Sequence, residues 1–169
     1  MIRSFDGKSP KIATSAFVSE TALISGDVEV GEETGIWPGA VLRADFGRIK
    51  IGNRTDIEDG CILHTGPLLE IGDNVIIGHG AVIHCRRIGN WVLVGMGAII
   101  LEEAEVGNHS IIAAGSVVSE GMIIPPGSFV AGVPAKVKGR VSEEQMRERL
   151  ERHSAYYIPL GKRYKEQGF

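Results

Sequence analysis

The sequence contains little cysteine, few aromatic residues and no excess of positive charge. Its two cysteines, Cys61 and Cys85, are too few for a disulfide framework, so we expect two reduced thiols in a cytoplasmic protein. A formal net charge of −3 provides no basic surface for nucleic acid. No stretch approaches about 18 consecutive apolar residues, and residues 1–10 lack the pattern of a signal peptide. We therefore expect a globular protein with no membrane or nucleic-acid partner.

Glycine, by contrast, is abundant, with 23 of 169 residues. Between the glycines, an aliphatic residue recurs every six positions, and a smaller residue follows most of them four positions later. The aliphatic positions are Ile12, Val18, Ile24, Val30, Ile36, Leu42, Ile51, Ile57, Leu63, Ile71, Ile77, Ile83, Ile88, Val94, Ile100, Val106, Ile112, Val118, Ile124 and Val130. This period fits neither a helix nor an alternating strand, but it is typical of a β-helix with triangular coils of about 18 residues. The sequence predicts an all-β solenoid of hexapeptide repeats over residues 1–135.

The remaining residues, 136–169, have helical character. Ser142 is a candidate N-cap, and four residues after it share one helical stripe. The stripe consists of Met146, Leu150, His153 and Tyr157. We expect a C-terminal α-helix that packs back on the coils and that ends or kinks at Pro159 and Gly161.

Each six-residue repeat is called a hexad here. The spacing between successive aliphatic positions departs from six three times, after Leu42, Leu63 and Ile83. These three residues lie three hexads apart, so the residues that follow them occupy the same corner-side position on successive coils. The following residues are Arg43, His64 and His84, here called the histidine column. Two imidazoles one strand spacing apart, about 4.8 Å, can bind a single metal ion. A ladder of histidines without metal is the alternative.

His79 lies on the preceding side of its coil, in line with Asp59 and Met96 on neighbouring coils. Side chains on adjacent sides of a convex triangle diverge, so His79 is badly placed to share a metal with His84 of its own chain. A neighbouring subunit's metal is the better partner, which implies a closed ring of three subunits with metal at the interfaces. Three neutral imidazoles and one open position are typical of a catalytic zinc that activates water.

Other candidate residues have simpler interpretations. His109 in the corner sequence "VGNHSI" is expected to be exposed to water. For His153, helix packing and a role in the site are equally supported interpretations. Cys85, beside His84, is expected to be a spectator thiol rather than a ligand.

Two segments carry a family resemblance. "AVLRADFGRIKIGNRTDIEDGCILHT" and "IGDNVIIGHGAVIHCRRIGNWVLVGMGAIIL" closely resemble the gamma-class carbonic anhydrases and their carbonic-anhydrase-like relatives, some labelled ferripyochelin-binding proteins, over residues 12–135. The resemblance implies a left-handed β-helix, although the general rule for parallel crossovers favours a right-handed one. It also implies a homotrimer with a metal at each interface, held by His64 and His84 of one chain and His79 of the next. Zinc is the expected metal, and three imidazoles also accept Fe²⁺ or Co²⁺.

The same resemblance assigns roles to further residues. It implies an ion pair between Arg43 and Asp59 across the interface, and it places Asp45 beside the metal ligands. Tyr157, rather than Tyr156, is expected to complete the site.

The chain departs from the family pattern close to the site. Asp56 and Glu58 stand where the family has asparagine and glutamine, and the Glu58 charge should raise the pKa of bound water or supply a base. The segment between His64 and His79 lacks the family's acidic, proton-shuttling loop, and Phe46 replaces a second acid. We therefore expect slow hydration of carbon dioxide.

Three alternatives stay open. "AGVPAKVKGR" resembles the last-coil segment of hexapeptide acyltransferases, although carbonic anhydrases carry it too. A metal-dependent thioesterase and a catalytically inactive structural subunit also fit the repeat.

Overall fold

The predicted fold class is confirmed. A computed structural model describes residues 1–169 as a left-handed parallel β-solenoid of about seven turns with one C-terminal helix. Each hexad supplies a short strand and a turn, and three hexads close one triangular coil. The pairing of each strand with the equivalent strand of the next coil is parallel, as in β7–β10 and β10–β13 below.

Two long strands, β4 (Leu23–Val30) and β6 (Val41–Ile51), run through a corner and join the first two faces into one sheet. The first face continues with β8 (Ile62–His64), β11 (Val82–Ile83), β14 (Ile99–Ile100) and β17 (Val117–Val118). The second face continues with β9 (Leu68–Ile71), β12 (Arg87–Ile88), β15 (Glu105–Val106) and β18 (Ile123–Ile124). Two N-terminal strands, β1 (Ile2–Arg3) and β2 (Lys11–Ile12), pair with β4.

The third face is a separate sheet, and the C-terminal helix packs on it. Its parallel strands are β3 (Phe17–Val18), β5 (Gly35–Ile36), β7 (Asp56–Ile57), β10 (Ile76–Ile77), β13 (Leu93–Val94), β16 (Ile111–Ile112) and β19 (Ser128–Gly132). A last strand, β20 (Ala135–Arg140), pairs with β19 in antiparallel fashion. The helix α1 (Glu143–Gln167) follows it.

The core lies inside the coils and consists of the predicted aliphatic positions. From Ile24 to Val130 each of them is at most 2% exposed. Ile12 and Val18, at the open first coil, are partly buried against the same core. Burial of one such side chain contributes roughly 1.5–3 kcal/mol, so the hexad register is strongly determined.

The predicted stripe of α1 is confirmed, but the helix does not end at Pro159 or Gly161. Met146 and Leu150 are buried against Ile76, yet the helix continues through Pro159 to Gln167. Aromatic contacts hold the helix on both sides of the proline: the Trp37 ring centroid lies 5.3 Å from that of Tyr157 and 5.5 Å from that of Tyr164. These contacts offset the one hydrogen bond that proline removes. The helix is too polar to cross a membrane, and no other helix is present.

The N-cap of α1 leads to a stability prediction. The Ser142 hydroxyl accepts a hydrogen bond from the Gln145 backbone N–H at 3.1 Å. Ser142→Ala is expected to lower the free energy of unfolding by about 1 kcal/mol because that N–H loses its partner. Chemical denaturation would measure the change, with Ser119→Ala as the control, since exposed Ser119 makes no side-chain hydrogen bond. Equal stability of the two variants would contradict the capping role.

Candidate metal centre between subunits

The histidine column exists as predicted. Arg43 pairs in register with His64, and the pairing of Leu63 with Ile83 brings His84 to the next position of the same column. The rings of His64 and His84 are stacked, with centroids 5.1 Å apart and planes within 11°. Two imidazoles therefore lie side by side at the edge of the first face.

The first register slip is a three-residue bulge that reaches the column. In the pairing of β4 with β6, Gly26 lies opposite Ala44 and Asp27 opposite Arg48, so residues 45–47 are extra. The bulge places Asp45 Oδ1 at 2.8 Å from His64 Nε2, and Asp45 also forms an ion pair with Arg43. Desolvation raises the pKa of Asp45, but the hydrogen bonds from His64 and Arg43 outweigh it and keep that pKa below its usual value.

His79 lies on the third face between two carboxylates. Its Nε2 is 3.2 Å from Glu58 Oε2, and its Nδ1 is 3.1 Å from Asp59 Oδ2. The backbone N–H of His79 also donates to Glu58 Oε2 at 3.0 Å. No ion pair joins Arg43 to Asp59 within the chain, so their predicted pairing stays a prediction about two subunits.

The C-terminal helix adds two side chains beside Glu58. Tyr157 is half-buried, and its pKa is raised by desolvation and by the charge of Glu58. His153 stacks on the Tyr157 ring at a centroid distance of 3.9 Å, and its Nε2 is 3.2 Å from Asp56 Oδ2. Tyr156 is 72% exposed. The helix thus brings Tyr157 and not Tyr156 to the carboxylates.

The prediction that His109 is an exposed corner residue is only half right. Its φ of 56° is a corner conformation, but the ring is half-buried and parallel to the ring of Trp91, with centroids 6.5 Å apart. The cysteines are unreactive in character, because burial raises the pKa of Cys61 to about 11 and that of Cys85 to about 12.

The donor set fits a metal shared between chains rather than one held within a chain. No group of three or more histidine, cysteine or acidic side chains converges on one point of the single chain. His64 and His84 supply two adjacent imidazoles, and the Asp45 carboxylate orients the first as an outer partner of a metal ligand does. His84 makes no side-chain hydrogen bond within the chain. A third imidazole, His79, lies on a different face, where Glu58 and Asp59 contact it.

A groove beside the site escaped the sequence analysis. It lies between α1 and the third face, has a volume of about 970 Å³, and reaches Glu58 and Tyr157 at one end. Its floor includes Leu93, Ile111 and Ala113. No sequence signal indicates it, because its walls come from segments distant in the chain.

Comparisons with known proteins find relatives that match nearly the whole chain. A carbonic anhydrase of Geobacillus kaustophilus is 44% identical over 167 residues, which cover 98% of this chain and 91% of that protein. The mitochondrial gamma carbonic anhydrase 2 of Arabidopsis thaliana is 38% identical over 86% of this chain, although the match covers only 55% of the plant protein. The crystal structure of a putative acetyltransferase of Bacillus cereus has a TM-score of 0.92 at 41% identity, covering 99% of this chain and 98% of that one.

Fold and repeat together define a hexapeptide-repeat protein. A search of family models gave no match. At the identity and coverage just given, the chain belongs to the gamma carbonic anhydrase-like family.

Proposed function

We propose that this protein catalyses the reversible hydration of carbon dioxide at a metal bound between the subunits of a homotrimer. His64 and His84 of one chain and His79 of the next are the proposed ligands, and zinc is the proposed metal. The observation that carries the proposal is the stack of His64 on His84 in a chain that does not complete a metal site alone. Zinc bound there would supply a Lewis acid that lowers the pKa of its bound water to about 7.

The surrounding residues support this chemistry by position. Asp45 contacts both His64 and Arg43, so it orients the ligand ring, while Arg43 is proposed to pair with Asp59 of the neighbouring chain. Glu58 is buried and faces His79. It is therefore the carboxylate that can hold a proton beside the reacting carbon dioxide, with Tyr157 next to it.

The hydratase activity is tested most directly by exchange of oxygen-18 between carbon dioxide and water. The zinc-loaded protein is expected to exchange label above the uncatalysed rate, with a rate that rises between about pH 7 and 9. The chain lacks the acidic loop that would export protons quickly. This assay does not need fast proton export, so the missing loop does not affect it. A fully metallated trimer without exchange above background would rule the proposal out.

A second candidate function, hydrolysis of an acyl thioester, is favoured by the groove, whose volume of about 970 Å³ far exceeds the needs of carbon dioxide. Water would cleave the carbon–sulfur bond and leave a carboxylic acid and a thiol. If the groove holds the acyl chain, Ala113→Trp should slow hydrolysis of a short acyl-coenzyme A by about tenfold by filling the floor. Ala155→Trp, on the exposed side of α1, is the matched control. Equal rates for the two variants would remove the groove from the reaction.

A further inference from the structure

Two carboxylates are buried next to each other beneath the proposed site without a lysine or arginine partner. Asp56 is 5% exposed and Glu58 is 4% exposed, and neither forms an ion pair with a lysine or arginine. The Trp37 indole N–H donates to Asp56 Oδ1 at 3.0 Å, but that donor is neutral. Buried carboxylates are costly unless a positive charge or several donors compensate them.

His153 is the side chain of the C-terminal helix that faces both carboxylates. Its Nε2 lies 3.2 Å from Asp56 Oδ2 and 3.9 Å from Glu58 Oε1. The imidazole is stacked on the nearly parallel Tyr157 ring. Its Nε2 is buried, and the approach to Asp56 is not aligned as a hydrogen bond, so the contact is a close approach of the ring edge to the carboxylate. The other ionisable rings near Glu58 are His79 and Tyr157.

We propose that His153 is a positioning residue of the site. It holds the carboxylates of Asp56 and Glu58 in place, and Glu58 in turn holds the backbone N–H and the ring of His79. Docking of α1 is thereby coupled to the orientation of the histidine that reaches the neighbouring chain. The functional meaning of this coupling rests on the proposed function, but the coupling itself does not.

The test is hydrogen exchange of the His79 amide, followed by NMR in the full-length protein as purified, because this amide donates directly to Glu58. His153→Gln is expected to speed its exchange by about tenfold, since the ring contact that restrains Asp56 and Glu58 is lost. In an Asp56→Asn/Glu58→Gln background, which removes both carboxylates that the ring contacts, the same substitution should change exchange by less than about twofold. His109→Gln, at a half-buried histidine that stacks on Trp91 and contacts neither carboxylate, is the matched control and should leave the His79 amide unchanged.

Equal acceleration by His153→Gln in both backgrounds, or none in either, would overturn the proposal. If His153→Gln fails to fold in the parent chain but folds in the Asp56→Asn/Glu58→Gln background, the role of His153 in holding the two carboxylates is supported. Failure in both backgrounds would show that the ring only fills space. These measurements need neither bound metal nor turnover, so an inactive protein would refute the proposed function and leave this inference standing.

Discussion

A His84→Ala variant is expected to lose its metal and to reduce oxygen exchange by about a thousandfold or more. Removal of one imidazole leaves two protein ligands, whereas a stable catalytic zinc site needs three. His84 is half-buried at the end of a short strand, and its ring makes no hydrogen bond within the chain, so its loss should not disturb the coil beneath it. Metal content per chain and the exchange rate together measure the effect.

The matched control for this variant is His109→Ala, because His109 lies at a corner and stacks on Trp91. It is expected to keep both metal and activity. A His84→Ala trimer that retains one metal per chain would show that the ring stack with His64 is a ladder without a ligand role.

Mixing two inactive variants is expected to restore activity if the ligands are shared between chains. A His79→Ala chain keeps the histidine column, and a His84→Ala chain keeps His79. At equal amounts and with random assembly, about one quarter of the interfaces should combine an intact column with an intact His79. Activity and metal should then return to about one quarter of the wild-type level. Each variant alone should remain at background.

Native mass measurement must verify that mixed trimers have formed, since unmixed trimers would give no recovery for a trivial reason. Verified mixed trimers without metal would place all ligands in one chain. The geometry argues against that result, because the single chain assembles no group of three histidine, cysteine or acidic side chains around one point.

An irregular hexad brings Asp45 to the histidine column. The bulge at residues 45–47 carries Asp45 to His64, and it also exposes Phe46, which is 77% exposed and lies 5.6 Å from the His64 ring between centroids. An insertion at a corner leaves the buried aliphatic positions in register, so function can vary there at little cost to the core.

Sequence reasoning succeeded where one-dimensional spacing decides position. The hexad count placed His64 and His84 in one column because every coil returns to the same corner after three hexads. The Ser142 cap and the stripe through Met146 were equally local, since helix caps and faces depend on neighbours three or four residues away.

Sequence reasoning failed where segments distant in the chain contact each other. The helix passes through Pro159 because Trp37 lies beneath Tyr157 and Tyr164, and no local signal reports such a contact. The partners of His153 were undetermined for the same reason, since Asp56 and Glu58 belong to a coil nearly a hundred residues earlier in the chain.

The sequence by itself determined the coil, the core and the alignment of the histidine column, because a period of six allows only one set of side chains to point inward. The tertiary structure alone decided how α1 lies on the third face, and with it the groove, the contact of His153 with Asp56 and the burial of Glu58. Those features arise from packing between α1, which has 3.6 residues per turn, and the third face, whose sequence repeats every six residues. Their relative placement is set by shape and aromatic contacts, which no spacing along the chain encodes.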